Sequence, residues 1–359
     1  MTTPTTVSNA LPIAPSRRKF QLPRMQELGL LMVILVMGTG LSIYGAMDAA
    51  PGRQNTFLNL PNLVDQIATN MSYYAIMAVG MTLVIVTGGI DISVGSTMAL
   101  SALAGAWVLQ HFPRDASAPQ VLALGIGVPL AVGFACGLLN GSLVVAGLHP
   151  FIVTLGTMSI IRGLAIVLPP MKTLPTAGHR LPDAFTTHFA LIKIFGLRIM
   201  PMMITLVVTA IGWFYLSLTV GGREIYAVGG NEEAARFSGL RTHRVKLRVY
   251  VLAGITAGIA GMVSLGRFGS ASSNTANGYE LTVVAAAVVG GASLSGGRGS
   301  AIGALLGALL IAMIENGIDT LHWNSEYRKV IIGAAIIIAV AIDQLSSYLR
   351  ARRLRGSHT

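Results

Sequence analysis

Apolar residues in this chain neither alternate nor keep to one helical face; they fill whole windows. Ten such windows follow one another, at 28–50, 62–86, 93–110, 120–147, 151–168, 200–220, 247–267, 280–296, 300–320 and 329–348. Each approaches the roughly 20 residues that carry a helix across a ~30 Å hydrocarbon core, and a helix apolar all round is buried or spans a membrane. The first run is longer than the apolar core of a signal peptide, and no good small-residue cleavage site follows it, so a retained first span is expected. The weakest boundary is 86–93, where Thr87, Gly88, Gly89 and Asp91 interrupt a continuous apolar run. A tight turn and a helix broken inside the bilayer both fit there. The pattern predicts an all-α polytopic membrane protein of about ten transmembrane helices.

Composition agrees and removes alternatives. Of 359 residues 53% are hydrophobic and 11% charged, where soluble chains carry about 25% charged residues. A soluble enzyme, a disordered chain and a secreted disulfide scaffold are excluded on that ground. The single cysteine, Cys136, lies inside an apolar run. The net charge of +11 would suggest nucleic acid on a soluble protein, but no basic stripe is interleaved with aromatic residues to make a stacking platform. Nucleic acid is therefore not an expected partner, and membrane lipid is.

The basic residues set orientation instead, because Lys and Arg concentrate in cytoplasmic loops. With both termini inside, Arg17, Arg18, Lys19 and Arg24, the segment from Arg223 to Arg248, Arg298 and the C-terminal run from Arg350 to Arg355 all fall in the cytoplasm. The expected organisation is a disordered cytoplasmic tail at 1–27, a membrane domain at 28–348 and a basic cytoplasmic tail at 349–359, N-in and C-in.

The chain also echoes itself. VTGGIDISVG at 86–95 resembles VVGGASLSGG at 288–297 at a constant offset of 202, and 10 of 21 positions match when both are extended by one helix. Both segments follow a helix returning inward, which makes the repeat parallel. Paired glycine interruptions at matching places in two halves point to a transport pathway. Gly88, Gly89, Gly95, Gly290, Gly291 and Gly297 are the expected structural breaks.

The most informative loop is GGREIYAVGGNEEAARFSGL at 221–240. Asn231 is a good N-cap, Glu232 and Glu233 then suit the positive end of a helix dipole, Ala234 and Ala235 propagate the helix and Arg236 suits its last turn. Gly239 supplies the left-handed residue after the helix. A short cytoplasmic helix bracketed by flexible glycines is expected, too short to be stable alone in water and so packed against something. It is either an ordinary interfacial helix or a peg for a cytoplasmic partner.

At this loop the resemblance to a family becomes specific. GGNEEAARxSG at 229–239 resembles the coupling loop of ABC-type monosaccharide importer permeases, the ribose, xylose and galactose type. GMTLVIVTGGIDISVG at 80–95, Asn140-Gly141, PFIVTLGTMSIIRG at 150–163, GYEL at 278–281, GGASLSGGRG at 290–299 and VAID at 340–343 are similar to the same family. The likeness covers roughly 60–350 and leaves out the N-terminal tail and the loop at 169–199.

The resemblance implies a permease subunit in the bacterial cytoplasmic (inner) membrane that moves a monosaccharide or related polyol inward. It implies a cytoplasmic ABC ATPase bound at the coupling loop 221–246, a second permease copy or a sister permease, and a periplasmic sugar-binding protein received by the outer surface, including 169–199 and 269–278. The chain has no GxxxxGKS/T phosphate loop, so no cofactor is expected in it; ATP and Mg would be bound by the partner ATPase. It is not expected to be an enzyme.

Polar groups within the apolar stretches are the candidate translocation path: Asp91, Ser93, Asn140, Thr154, Thr157 and Ser159. Each alone also fits a helix–helix hydrogen bond, and Asp91 is expected first as a cap on the helix starting near Ser93. Arg162 is expected to snorkel to the outer surface. Glu315 and Asp319 share a helical face, but Glu315-Asn316 departs from the family's Asn pair. The alternative function, a proton- or sodium-coupled secondary transporter, would need Asp91, Glu315 or Asp319 as titrating carboxylates.

Overall fold

The computed structural model describes residues 25–49, 54–168, 173–338 and 340–341. The expected tail at 349–359, and the one at 1–27 save its last three residues, lie outside the described residues; α1 (Met25–Asp48) takes in those three. The remaining helices are α2 (Thr69–Val86), entered through a π-helical stretch at Asn62–Ala68, α3 (Val94–Leu109), α4 (Ala118–Val145), α5 (Pro150–Val167), the short α6 (Asp183–Phe185), α7 (Met200–Leu218), α8 (Val220–Gly230), α9 (Glu232–Phe237), α10 (Thr242–Phe268), α11 (Tyr279–Val289), α12 (Ala301–Thr320) and α13 at 327–338.

Over the described residues, each of the ten apolar windows falls at least in part on a helix. Among the described residues seven helices are long and apolar enough to cross a membrane, whereas α3 and α11 are shorter. The window at 280–296 is corrected: α11 stops at Val289, and 290–300 is irregular.

Burial separates a centre from a rim. The span running through α2 is almost wholly covered and α10 largely so, while α1, α4, α5 and α7 turn most of their apolar surface outward. Val36, Ile152, Val207 and Ile337 are among the exposed side chains. On a soluble protein such a rim would aggregate; in lipid it is the solvated face.

Hydrocarbon offers no hydrophobic drive between helices, so contact depends on close backbone approach at small residues. Gly133 and Gly137 on α4 face Gly254 and Gly258 on α10 at four-residue spacing, and Gly141, one turn on, faces Leu247 and Tyr250. A Cβ on Gly133 would lie 2.3 Å from the Gly254 carbonyl oxygen, and one on Gly258 2.5 Å from that of Pro129. Side chains there would force the helices apart.

Two small ribbons close the end opposite α8 and α9. Strand β1 (Thr173–Leu174) pairs antiparallel with β4 (Ala271–Ser272), and β2 (Lys193–Ile194) with β3 (Leu197–Arg198).

The two echoing segments both end a helix in the same way. The amides of Gly88 and Gly89 bond the carbonyls of Ile85 and Val84, and those of Gly291 and Ala292 bond the carbonyls of Val288 and Ala287. Gly88 and Gly291 hold the positive φ of +80° and +97° that this turn requires. The structural match is therefore one residue out of register with the sequence match. The likeness stops there, because α3 begins at Val94 with Gly95 inside it, whereas α12 begins only at Ala301.

Candidate coupling and translocation site

The glycine-rich segment before Asn231 is helical, which corrects the expectation of a flexible bracket. Thr219 caps α8 by accepting the Gly222 amide on Oγ1 at 3.1 Å. Ile225 and Val228 are buried. Gly229 serves contact rather than flexibility. A Cβ on Gly229 would lie 1.6 Å from the Val86 carbonyl oxygen and 2.7 Å from the Gly297 amide. That amide donates to the same Val86 carbonyl at 2.8 Å. Tyr226 donates from its hydroxyl to the Gly299 carbonyl at 2.8 Å. Helix α8 is thus seated on both glycine breaks at once.

Beyond it, α9 projects. Asn231 Oδ1 accepts the Ala234 amide at 2.9 Å, and Gly239, at φ +84°, closes the helix with amide bonds from Gly239 and Leu240 to the carbonyls of Arg236 and Ala235. Of its six residues only Ala235 is buried. Glu232 is held by Lys246 at 2.6 Å and Glu224 by Arg248 at 3.1 Å, while Glu233 is exposed. Phe237, which the sequence reading passed over, is 78% exposed with the Arg236 guanidinium 5.7 Å from its ring centroid. An exposed aromatic beside an arginine is the composition of an interface anchor.

Four of the six path candidates come together at the first break. Asp91 is 1% exposed. Its Oδ1 accepts the Ser93 amide at 2.9 Å and hydroxyl at 2.7 Å, and both its oxygens accept Asn140 Nδ2 at 3.3 Å. Asn140 Nδ2 also donates to Ser93 Oγ at 2.7 Å. The Ile90 carbonyl takes the hydroxyls of Tyr250 at 3.1 Å and Thr154 at 3.5 Å. Against the expectation of a cap on the first turn of α3, the carboxylate accepts the amide of Ser93, one residue before the helix. Thr157 is buried one turn further along α5 and bonds the Thr154 carbonyl at 3.3 Å. Ser159 faces outward and bonds Leu155 of its own helix, so it does not join the group.

Arg162 does not snorkel. Its Nη1 turns inward and donates to the carbonyls of Ser273 and Thr275 at 2.7 and 2.8 Å. The expected face of Glu315 and Asp319 divides: Glu315 accepts the Tyr74 hydroxyl at 3.2 Å, whereas Asp319 pairs with Arg328. Asn316 and Asn62 exchange amide bonds of 2.8 and 3.0 Å.

The chain as a whole is similar to known proteins. Residues 63–340 match the model of the family described as branched-chain amino acid transport system / permease component. The ribose import permease protein of Escherichia coli K12 is 38% identical over 295 residues, covering 80% of this chain and 86% of the relative. That of Bacillus subtilis 168 is 38% identical over 329 residues, 90% of this chain and 94% of the relative. The galactose/methyl galactoside import permease protein of E. coli K12 is 36% identical over 339 residues, 91% and 97%. No solved structure gives a match.

Proposed function

The chain belongs to the branched-chain amino acid transport system / permease component family, and from that premise we propose that it is the pore subunit of a binding-protein-dependent importer of neutral monosaccharides or related polyols. Its curated relatives include ribose, allose and galactose transport permeases. The exposed helix α9, seated through α8 on both glycine breaks, carries the coupling part of the reading.

In this reading about ten spans cross the bacterial inner membrane with both termini in the cytoplasm, and a second permease, identical or sister, completes the pore. A cytoplasmic ABC ATPase receives α9, with Asn231, Glu232, Glu233, Ala234, Ala235, Arg236 and Gly239 forming the peg. ATP and Mg belong to that partner, and the pore subunit is not an enzyme. A periplasmic sugar-binding protein docks on the opposite end, around 173–199. Movement of the ATPase subunits pushes α9; α8 passes it to Val86 and Gly297 by direct backbone contact, and so to α2 and the second break.

Asp91 acts here by tying Ser93 and Asn140 together and not as a proton carrier, because it is sealed from solvent. Uptake of labelled ribose, allose and galactose by cells carrying the whole system tests the reading. Uptake should stop on ATP depletion and survive an uncoupler while ATP is maintained. The opposite pattern would contradict it in favour of ion coupling.

A further inference from the structure

Helices α3 and α11 are too short to cross alone. The 16 residues of α3 rise about 24 Å and the 11 of α11 about 16 Å, against a hydrocarbon core of ~30 Å. They approach from opposite ends. The residue after α3, Gln110, bonds Thr176 in the 173–199 segment, while the break after α11 meets Gly229. Their N-termini meet inside: a Cβ on Gly95 would lie 2.5 Å from Glu280 Oε2 and 2.7 Å from the Ala276 carbonyl oxygen. The loop 273–278 therefore sits near mid-depth, within the stretch 269–278 that the resemblance assigned to the outer surface.

Irregular backbone at that depth is tolerated only where protein or a water-filled cavity satisfies it. Here the loop has two sides. Ser273 and Ala276 are buried, and the carbonyls of Ser273 and Thr275 take both Arg162 bonds. Asn274 and Asn277 are exposed, and among the described residues their side-chain amides have no hydrogen-bond partner. Such amides cannot face hydrocarbon without a cost of several kcal/mol each. They face water.

We propose that Asn274 and Asn277 line the transport path and hydrogen-bond the hydroxyls of a neutral monosaccharide or polyol in transit, with Arg162 as the positioning residue that holds their loop. Each amide offers two donors and an acceptor, which suits vicinal hydroxyls and carries no charge. The ionic groups beside the loop, Arg162 and Glu280, are opposite in sign, and Arg162 is engaged with the backbone. A zwitterionic amino acid finds no free pair of charges there. This deepens the importer reading and rests on it.

The test uses the assembled importer in membranes, with Asn274→Cys and Asn277→Cys variants treated with the membrane-impermeant reagent 2-sulfonatoethyl methanethiosulfonate. The unsubstituted chain is the control, since Cys136 is buried. Both variants should be labelled, and a transported sugar should slow labelling several-fold. Asn277→Ala should raise the KM of uptake about fivefold, the loss of one neutral hydrogen bond, at unchanged amount in the membrane. Arg162→Ala should abolish sugar protection of Cys at 277, and Arg162→Lys should restore part of it. No labelling, or labelling indifferent to sugar while the unsubstituted importer transports normally, overturns the proposal. Absence of sugar uptake by the unsubstituted importer overturns the function reading itself and the proposal with it.

Discussion

The contact at Gly229 allows a sharp test, because its neighbour is a built-in control. Gly229→Ala places a methyl 1.6 Å from the Val86 carbonyl oxygen, where ordinary contact begins near 3.4 Å. Both partners are backbone, so no side chain can swing away; α8 and the end of α2 must part by about 1.5–2 Å. That separation breaks the 2.8 Å bond from the Gly297 amide to Val86. Stranding those groups costs about 1–3 kcal/mol, and overpacking adds about 1–3 kcal/mol. The expected destabilisation is about 2–6 kcal/mol. Gly230→Ala meets nothing within 4 Å and should change stability by less than about 1 kcal/mol. Thermal unfolding of the purified protein in detergent, read as the fraction left monodisperse after heating, compares the two. Gly229→Ala should fail several degrees below Gly230→Ala and lose uptake. Equal stability of the two variants would refute the contact and the transmission route built on it.

Other consequences follow from the same geometry. Glu233 has no ion pair among the described residues, so Glu233→Lys should leave thermal stability unchanged while weakening capture of the ATPase at least tenfold in a detergent pull-down. Asn140→Leu removes the Nδ2 donor shared by Asp91 and Ser93, and should cost about 1.5–3 kcal/mol in unfolding. Gly88→Ala meets no atom but must hold φ +80°, so it should cost about 1–2 kcal/mol, with Gly88→Asn milder. A double-mutant cycle on Asn62 and Asn316 should show a coupling of about 0.5–3 kcal/mol.

What the sequence carried well was whatever the bilayer or the backbone dictates locally. Span length follows from membrane thickness, so among the described residues seven of the apolar windows fell on helices long enough to cross. The ends of α9 were legible because Asn231 and Gly239 are the residues that satisfy stranded amides and carbonyls. Gly221, Gly222, Gly229 and Gly230 misled, since glycine suits both a flexible loop and a helix pressed against another backbone. Only the positions of Val86 and Gly297 tell these apart. Arg162 looked like a surface-seeking cation because its partners are carbonyls 111 and 113 residues away. Phe237 left a signal, an isolated aromatic in a polar helix, that could have been read.

The central claim is that α9 joins sugar movement to ATP hydrolysis in a partner. Its most direct measurement is ATP hydrolysis by the importer reconstituted in proteoliposomes, with sugar-loaded binding protein added, for the unsubstituted permease and for Glu232→Lys combined with Glu233→Lys. Loaded binding protein should stimulate hydrolysis with the unsubstituted permease, and the doubly reversed variant, inserted to the same level, should lose that stimulation together with uptake. Equal stimulation and equal uptake by both would contradict the account.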